Sequence, residues 1–292
     1  MKNDLSKKSI LITGSTGLIG KNLVSYLTSN NINDLFLLDR EDIKDIDNLL
    51  DSKNRWYDIV FHLAGHAQPE KFMSEKINTI KINTEITYKL FNFLKPGGIF
   101  FYASSTEVYS GLINNVTEDM IGTSTPDHPR ACYIESKKCG ETICHSYKDR
   151  YQVKIGRIGL TYGPGAKADD KRVINSIIRQ AKTDKHIKLL DSGEAIRTIC
   201  YVSDLIEMMI EVLNGQDVTY NLAGNHKLSI REIADIIAKE TNSSIEIKDK
   251  IDAGLGGSSV MDINIDKYKL EFNKHSFISP QQGLSLTINS ND

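Results

Sequence analysis

The sequence has few cysteines, almost no net charge and no long apolar run, and each shortage excludes a class of protein. Four cysteines in 292 residues form no CxxC pair, which favours reduced thiols in a cytoplasmic protein over a disulfide framework. A formal net charge of -2 gives no reason to expect binding to nucleic acid or to an anionic membrane. No apolar run is long enough to cross a bilayer, and the polar residues 1–9 do not predict a signal peptide.

Metal ligands in a recognisable pattern are also lacking. His62 and His66 are four residues apart, but a predicted strand ends between them, so they do not share a helical face. We expect structural roles for both and no metal site. There is no internal repeat, low-complexity tract or linker, so a hydrophobic content of 40% in 292 residues predicts one large α/β domain, alone or with a smaller lobe.

The most informative stretch is residues 9–20, SILITGSTGLIG, in which a short apolar run leads through three glycines into an amphipathic helix. In a dinucleotide-binding turn, Gly14 would allow the tight bend, Gly17 the approach of a pyrophosphate and Gly20 close packing of helix on strand. The phosphates would then meet the free N–H groups at the helix N-terminus. The spacing is G-x-x-G-x-x-G rather than G-x-G-x-x-G, so a glycine-rich turn without a ligand remains an alternative at this point.

A second predicted strand, residues 34–40, ends in Asp39, 19 residues after Gly20. An acid at this distance binds the adenosine ribose hydroxyls in dinucleotide folds and repels a 2′-phosphate, which favours NAD over NADP. Arg40 could bind that phosphate, and a solvated acid at a strand end is the structural alternative for Asp39. The connection from Asp39 to Asp58 has no room for another strand, so we predict six strands, with Asp42 and Ile43 beside the adenine.

Strands and helices alternate through the first half of the chain. Further strands are predicted at 58–63, 98–103 and 152–158, and helices at 75–94 and 131–151. This rhythm predicts a Rossmann-type, doubly wound parallel sheet, with a small C-terminal α/β substrate lobe. We place the NAD-binding domain at 1–164, with returning segments near 198–222, and most of the lobe at 165–292. Ser203 is expected to cap a helix to Leu213, and S-I-R-E at 229–232 a second helix to about Thr241.

Candidate catalytic residues follow the predicted strand at 98–103 and open the helix at 131–151. Tyr133 and Lys137 are four apart and share a helical face, where a lysine ammonium lowers the pKa of a nearby phenol. Such a tyrosine can accept a proton from a sugar hydroxyl while a hydride leaves. Ser105 or Thr106 would hold the same hydroxyl, and Glu107 could remove a proton from an adjacent carbon. A helical packing pair and a solvated acid are the structural alternatives.

Together these motifs resemble the extended short-chain dehydrogenase/reductase family, the NAD-dependent nucleotide-sugar epimerases and dehydratases. The resemblance runs from about residue 10 to 286 and rests on T-G-S-T-G-L-I-G at 13–20, D-I-V-F-H-L-A-G at 58–65, S-S-T-E-V-Y at 104–109, Y-I-E-S-K at 133–137, Y-G-P-G at 162–165 and R-T-I-C-Y-V-S-D at 197–204. P-R-A-C-Y at 129–133 and D-K-R-V at 170–173 are most similar to the UDP-glucuronate decarboxylase branch.

The resemblance implies oxidation of a sugar 4-hydroxyl, with Tyr133 as base, Lys137 supporting it and Ser105 as the catalytic Ser/Thr. It also implies that Asn83 orders a proton-relay water and that Arg172 and Arg197 face the substrate. The remaining cofactor contacts that it implies are Thr16, Leu18, Ile19, Leu63, Ala64 and Gly65, together with Asn83, Tyr133 and Lys137. It further implies a nucleotide-diphosphate sugar substrate, a role in surface polysaccharide biosynthesis, and a homodimer formed through helices 75–94 and 131–151.

Three departures from the family pattern weaken the usual UDP-glucuronate or dTDP-glucose assignment. Leu160 stands where the family often has Asn, Ser258-Ser259 replace a basic pair, and Thr106 replaces the Asp of the dTDP-glucose dehydratases. The expected function is therefore NAD-dependent 4-oxidation with a dehydrogenase, epimerase or decarboxylase outcome. The alternatives are a sugar-nucleotide 4,6-dehydratase, a non-catalytic NAD-binding regulatory protein and a reductase of an unrelated small ketone.

Overall fold

A computed structural model describes residues 5–39, 43, 46–51, 55–247 and 260–290. Its strands are β1 Ile10–Thr13, β2 Leu35–Leu38, β3 Tyr57–His62, β4 Leu94–Ser105, β5 Gln152–Ile158, β6 Leu160–Tyr162, β7 His186–Leu189, β8 Ile196–Tyr201, β9 Thr219–Leu222, β10 His226–Ser229, β11 Ser244–Ile247 and β12 Val260–Met261. Its α-helices are α1 Leu18–Ser29, α2 Ile46–Asp51, α3 Pro69–Ser74, α4 Lys76–Lys81, α5 Thr87–Leu90, α6 Ala131–Ser146, α7 Val173–Thr183, α8 Val202–Glu211, α9 Ile230–Thr241, α10 Asp266–Phe272 and α11 Pro280–Ile288. Within these residues, no helix is long and apolar enough to cross a membrane.

The centre of the fold is a six-stranded parallel sheet in the order β2-β1-β3-β4-β5-β9, which confirms the predicted strand number. Apolar residues run almost without interruption along its inner strands because helices cover both faces. In β1, Ile10 and Ile12 pack with α1 and α8 on one face, whereas Leu11 packs on the opposite face. The order reverses between β1 and β3, so the carboxyl ends of these two strands flank the crevice in which such sheets bind ligands.

The later segments form two smaller sheets. β8 pairs with β6, β10 and β12, and β11 pairs with β7. Helices α7, α9 and α11 pack with these strands in a separate apolar cluster. β9 and α8 return to the central sheet, β9 as its edge strand and α8 against α1. The division of the chain at residue 165 stays a prediction.

Two helix predictions need correction. The helix expected over residues 75–94 is a series of short pieces, in which a π-helix, Ile82–Ile86, separates α4 from α5 and a 3-10 turn, Phe91–Phe93, follows. The helix expected over residues 131–151 ends at Ser146. Apolar spacing predicts that a helix is present, but it does not distinguish an α-turn from the wider π-turn.

The two predicted caps have different outcomes. The capping box of Ser229 and Glu232 is confirmed at the start of α9. Ser203, in contrast, is the second residue of α8 and does not cap it, because the chain passes directly from the buried strand β8 into a helix whose cap position is Tyr201.

Candidate active site

The glycine turn joins β1 to α1 as predicted, and each glycine has a distinct geometric role. Gly14 has φ of 73° and lies so close to the β3 side that a Cβ would be 2.7 Å from the Ala64 nitrogen. A Cβ on Gly20 would be 2.2 Å from the Gly14 carbonyl oxygen, so the helix could not approach the turn. A Cβ on Gly17 would have only that oxygen within 4 Å, at 3.4 Å. The tight turn, the close helix and the free space beside Gly17 fit a bound dinucleotide pyrophosphate.

The other predicted cofactor residues near this turn differ in how deeply they are buried. Asp39 is exposed directly after β2, whose Leu38 carbonyl accepts a hydrogen bond of 3.3 Å from the Gly14 N–H. Ile43 is buried and donates its N–H to the Asp39 carbonyl at 3.2 Å. Arg40 and Asp42 lie outside the described residues. Within the turn and the first turn of α1, Leu18 is buried, Ile19 is half-buried and Thr16 is exposed.

Leu63, Ala64 and Gly65 follow β3 and form the opposite side of the crevice. The Leu63 N–H donates to the Thr13 carbonyl at 3.3 Å, and the Ala64 N–H donates to the Thr13 hydroxyl at 3.1 Å. Gly65 is exposed, and a Cβ there would be 3.7 Å from the Lys137 Nζ. This backbone therefore links the glycine turn to the Tyr-Lys pair.

The predicted catalytic residues Ser105, Tyr133 and Lys137 come together at the carboxyl end of β4. The Ser105 hydroxyl hydrogen bonds to the Tyr133 phenol and also accepts the Glu107 N–H at 3.2 Å. The Lys137 ammonium lies 5.9 Å from the centre of the Tyr133 ring and donates to the Ala103 carbonyl at 2.7 Å. All three are buried, and so is Thr106, for which the structure indicates no separate chemical role.

Burial dominates the ionisation of this pair. Desolvation raises the pKa of Tyr133 to about 12, and the hydrogen bond from Ser105 opposes this shift. Burial lowers the pKa of Lys137 to about 7, although the charge of Glu141, one helical turn away, acts to raise it. The pKa of Tyr133 therefore shifts upwards rather than downwards, because both groups are transferred out of water.

Glu107 faces a cation that the sequence analysis did not assign. Its Oε1 accepts a hydrogen bond of 2.8 Å from the Arg130 guanidinium, and both side chains are partly buried. The Arg130 Nε is buried without a hydrogen-bond partner in the described structure. Arg130 belongs to the P-R-A-C-Y motif, so its presence was visible in the sequence, but its partner was not.

The two predicted substrate arginines border the same region. Arg172 pairs with the buried Asp170 through contacts of 2.6–3.1 Å, and its positive charge acts on Tyr133. Arg197 lies on β8, where burial lowers its pKa and the charges of Glu107 and Arg130 act on it in opposite directions. The charges of Arg130 and Arg172 therefore act on Tyr133, and Arg197 is coupled to the Glu107–Arg130 pair.

Asn83 lies in the π-helix and is fully buried. Its amide donates to the Ser136 hydroxyl at 2.9 Å, whereas its Oδ1 is buried without a hydrogen-bond partner in the described structure. That oxygen and the Lys137 Nζ would lie 3.6 and 3.7 Å from the same Cβ on Gly65. The position fits the relay role that the family resemblance implies for Asn83, which stays a prediction.

Sequence reasoning missed several supporting residues. Phe72 stacks on the Tyr133 ring, with centroids 4.7 Å apart and planes inclined by 12°. Glu141 forms a buried ion pair of 2.7 Å with Arg157 and accepts a hydrogen bond from Ser104. Glu141 is four residues after Lys137, and this spacing could have predicted that the two side chains lie on the same face of the helix. Nothing in the local sequence singles out Phe72.

Comparison with known proteins agrees with this geometry. A family model described as the NAD dependent epimerase/dehydratase family matches residues 10–223. UDP-glucuronic acid decarboxylase 5 of Arabidopsis thaliana is 30% identical over 268 residues, which cover 83% of this chain and 77% of the relative. The UDP-glucuronic acid 4-epimerase of Bacillus cereus, solved with UDP-glucuronic acid and NAD, superimposes with a TM-score of 0.78 at 22% identity, over 96% of this chain and 98% of that one.

RMD from Pseudomonas aeruginosa, solved with NADPH, gives a TM-score of 0.79 at 24% identity, covering 96% and 97% of the two chains. The solved structures share the fold, and the family model and the curated relative also carry the sequence relationship. The chain belongs to the NAD-dependent epimerase/dehydratase family and has the fold of the extended short-chain dehydrogenase/reductases.

Proposed function

We propose that this protein oxidises the 4-hydroxyl of a nucleotide-linked sugar with NAD. The observation that carries the proposal is the buried cluster of Ser105, Tyr133 and Lys137 at the end of β4, directly beside the backbone at Gly65. The curated relatives, which are UDP-glucuronic acid decarboxylases, support the same class of substrate. Arg197 and, beyond their pairing with Glu107 and Asp170, Arg130 and Arg172 offer guanidinium N–H donors for the diphosphate of an anionic nucleotide sugar.

Each residue of the cluster has a separate role in the proposed reaction. The Tyr133 phenolate accepts the proton of the sugar hydroxyl, and the Ser105 hydroxyl orients that hydroxyl. NAD, when bound, accepts the hydride. In its protonated form, Lys137 is held near the phenol oxygen by the Ala103 carbonyl, so it stabilises the phenolate that serves as the base. Because burial raises the pKa of Tyr133 to about 12, this positive charge is needed before proton transfer, when the phenol must lose its own proton to become the base.

The glycine turn and the backbone at Leu63–Gly65 would hold the dinucleotide, and Asp39 would select NAD by excluding a 2′-phosphate. RMD, which shares the fold, was solved with NADPH, so the fold admits either cofactor. We expect Asp39→Ala to lower kcat/KM with NAD and to reduce the preference for NAD over NADP. An unchanged preference would assign the selection to other residues.

The fate of the 4-keto sugar depends on Glu107. Its carboxylate is paired with Arg130 at 2.8 Å, so one of its oxygens is already bound by a guanidinium group. This supports outcomes that need no proton removal at the 5-position, such as 4-epimerisation or loss of carbon dioxide from a uronic acid. A 4,6-dehydratase needs a base there, and Thr106 replaces the acid that those enzymes carry.

We also propose a homodimer. Among the apolar residues of segments 75–94 and 131–151, Ile86, Leu90, Phe91, Phe93, Ile134 and Cys144 are buried in the chain's own core. Ile77 is 67% exposed and Ile80 39% exposed on α4, and Cys139 is exposed on α6. These residues leave an apolar patch for a second copy. Free cysteines in the described structure also suit a cytoplasmic protein, which we propose together with a role in polysaccharide precursor synthesis.

The deciding experiment incubates the protein with NAD or NADP and a panel of UDP-glucuronic acid, UDP-glucose, dTDP-glucose and their 4-epimers. Product mass, NADH absorbance and deuterium uptake from heavy water separate release, decarboxylation, epimerisation and dehydration. We expect one nucleotide sugar to be converted and Tyr133→Phe to abolish the conversion. NAD binding without conversion of any sugar nucleotide would overturn the proposal and favour a regulatory NAD-binding protein.

A further inference from the structure

A chain of hydrogen bonds crosses the molecule behind the active site and connects the glycine turn to the π-helix. It begins at Thr13, the last residue of β1, whose hydroxyl accepts the Ala64 N–H at 3.1 Å. The same hydroxyl lies 2.8 Å from the Nδ1 of His62, the last residue of β3. The other ring nitrogen of His62 lies 3.1 Å from the carbonyl oxygen of Ile82, the first residue of the π-helix.

The hydrogen-bond partners of Nδ1 and Nε2 determine which nitrogen of the neutral His62 ring carries the hydrogen. A carbonyl oxygen cannot donate, so the Nε2 must carry the hydrogen and donate to Ile82. The Thr13 hydroxyl accepts from Ala64 and therefore has its own hydrogen available for the Nδ1. His62 is 1% exposed, and burial followed by the charge of Lys137 lowers its pKa to about 3. The imidazole is therefore neutral at physiological pH.

The π-helix places Asn83 directly after the residue that His62 holds. A π-turn changes the direction of the following side chains relative to an α-helix, and such turns occur frequently at functional sites. Here the Asn83 amide reaches Ser136 on α6, and its unpartnered Oδ1 lies with Lys137 beside Gly65. Gly140 on α6 allows this close approach, because a Cβ there would be 2.6 Å from the Asn83 carbonyl oxygen.

We propose that His62 is a positioning residue of the active site. As a neutral Nε2–H tautomer, it ties the π-helix to the end of β1 and thereby fixes Asn83 beside Lys137. The inference rests on the proposed function for its kinetic consequence, but the tautomer and the position of Asn83 can be tested without any substrate.

Two substitutions test the hydrogen bonds of the His62 Nδ1 and Nε2 separately. In His62→Gln the side-chain amide nitrogen reaches the position of Nε2 and can still donate to Ile82. In His62→Asn the side chain reaches only the position of Nδ1, so the bond to the π-helix is lost. We expect His62→Asn to lower kcat on the order of 10²-fold, as a misplaced catalytic group does, with NAD affinity unchanged. His62→Gln should retain most of the wild-type kcat.

His66→Asn is the matched control for the loss of a buried histidine. His66 is buried on the same segment, and its Nδ1 contacts the hydroxyl of Thr79 on α4 at 2.9 Å. The control should retain kcat even if it lowers the melting temperature as much as His62→Asn does. Equal losses of kcat in His62→Gln and His62→Asn, or retained kcat in His62→Asn, would overturn the proposal.

NMR of the protein labelled with 15N supplies the readouts that need no substrate. We expect the His62 signals, assigned by their absence in His62→Gln, to show an unprotonated Nδ1 and a protonated Nε2 from about pH 5 to 8. The Asn83 side-chain amide signals should move in His62→Asn and stay in place in His62→Gln. A protonated Nδ1, or Asn83 signals that do not move in either variant, would refute the positioning role even if no sugar nucleotide is ever converted.

Discussion

The substitution Tyr133→Phe tests the proposed chemistry most directly, because it removes one oxygen and leaves the ring in place. The ring is 7% exposed and stacks on Phe72 at 4.7 Å, so a phenylalanine fills the same space. The lost hydrogen bond with Ser105 costs about 1 kcal/mol of unfolding free energy. The fold should therefore survive, and the NAD Kd should not change because the glycine turn is not altered.

The effect on hydride transfer should be much larger. General base catalysis contributes roughly 10²–10⁴-fold, and each factor of ten corresponds to about 1.4 kcal/mol of activation free energy. We therefore expect the barrier to rise by about 3 to 5 kcal/mol. The loss exceeds the cost to stability because the oxygen accepts the proton in the transition state, whereas in the resting enzyme it only shares a hydrogen bond.

Single-turnover measurements of NADH absorbance, with NAD affinity and thermal unfolding recorded in parallel, distinguish these effects. Tyr268→Phe is the matched control, since its phenol is also fully buried and donates to the Glu211 carboxylate on α8, away from the candidate site. The control should lose stability and keep its activity. Activity of Tyr133→Phe within about tenfold of the wild type, equivalent to about 1.4 kcal/mol, would show that Tyr133 is not the base.

Three further perturbations test the electrostatics and the assembly. If the wild type exchanges the 5-hydrogen of the sugar for deuterium without loss of carbon dioxide, Glu107→Gln should abolish that exchange and retain NADH formation, whereas a wild type without such exchange would limit Glu107 to shaping the pocket. The pKa of Lys137 is about 7 in the folded protein and 10.5 as its ordinary value, so the unfolded chain binds more protons between these limits. The free energy of unfolding should therefore rise between about pH 7 and 10, by up to about 1.4 kcal/mol per pH unit. Urea titrations at several pH values should show this rise in the wild type and not in Lys137→Met. Light scattering at micromolar concentration should give a dimer mass and Ile77→Lys should lower it, whereas a monomeric wild type would contradict the proposed interface.

Local sequence determined the parts of the molecule that depend on short-range physics. Gly14 and Gly20 mark the turn because the backbone there needs a positive φ or a close approach that a Cβ would block, and Gly17 marks it because it leaves the space beside the turn free. The four-residue spacing of Tyr133 and Lys137 predicted a shared helical face, and the capping box at Ser229 follows from hydrogen bonds within four residues. The short connection after Asp39 likewise predicted the six-stranded sheet.

Tertiary structure alone decided how the candidate site is charged and supported. The ion pair of Glu107 with Arg130 joins residues 23 positions apart, and the contact of His62 with Ile82 joins two separate elements. Apolar periodicity could not reveal the π-helix that carries Asn83, since it records which face is buried and not the width of the turn. The pKa shifts of Tyr133 and Lys137 come mainly from burial, which depends on every segment packed around them, whereas a four-residue motif shows only which charges are near each other in sequence.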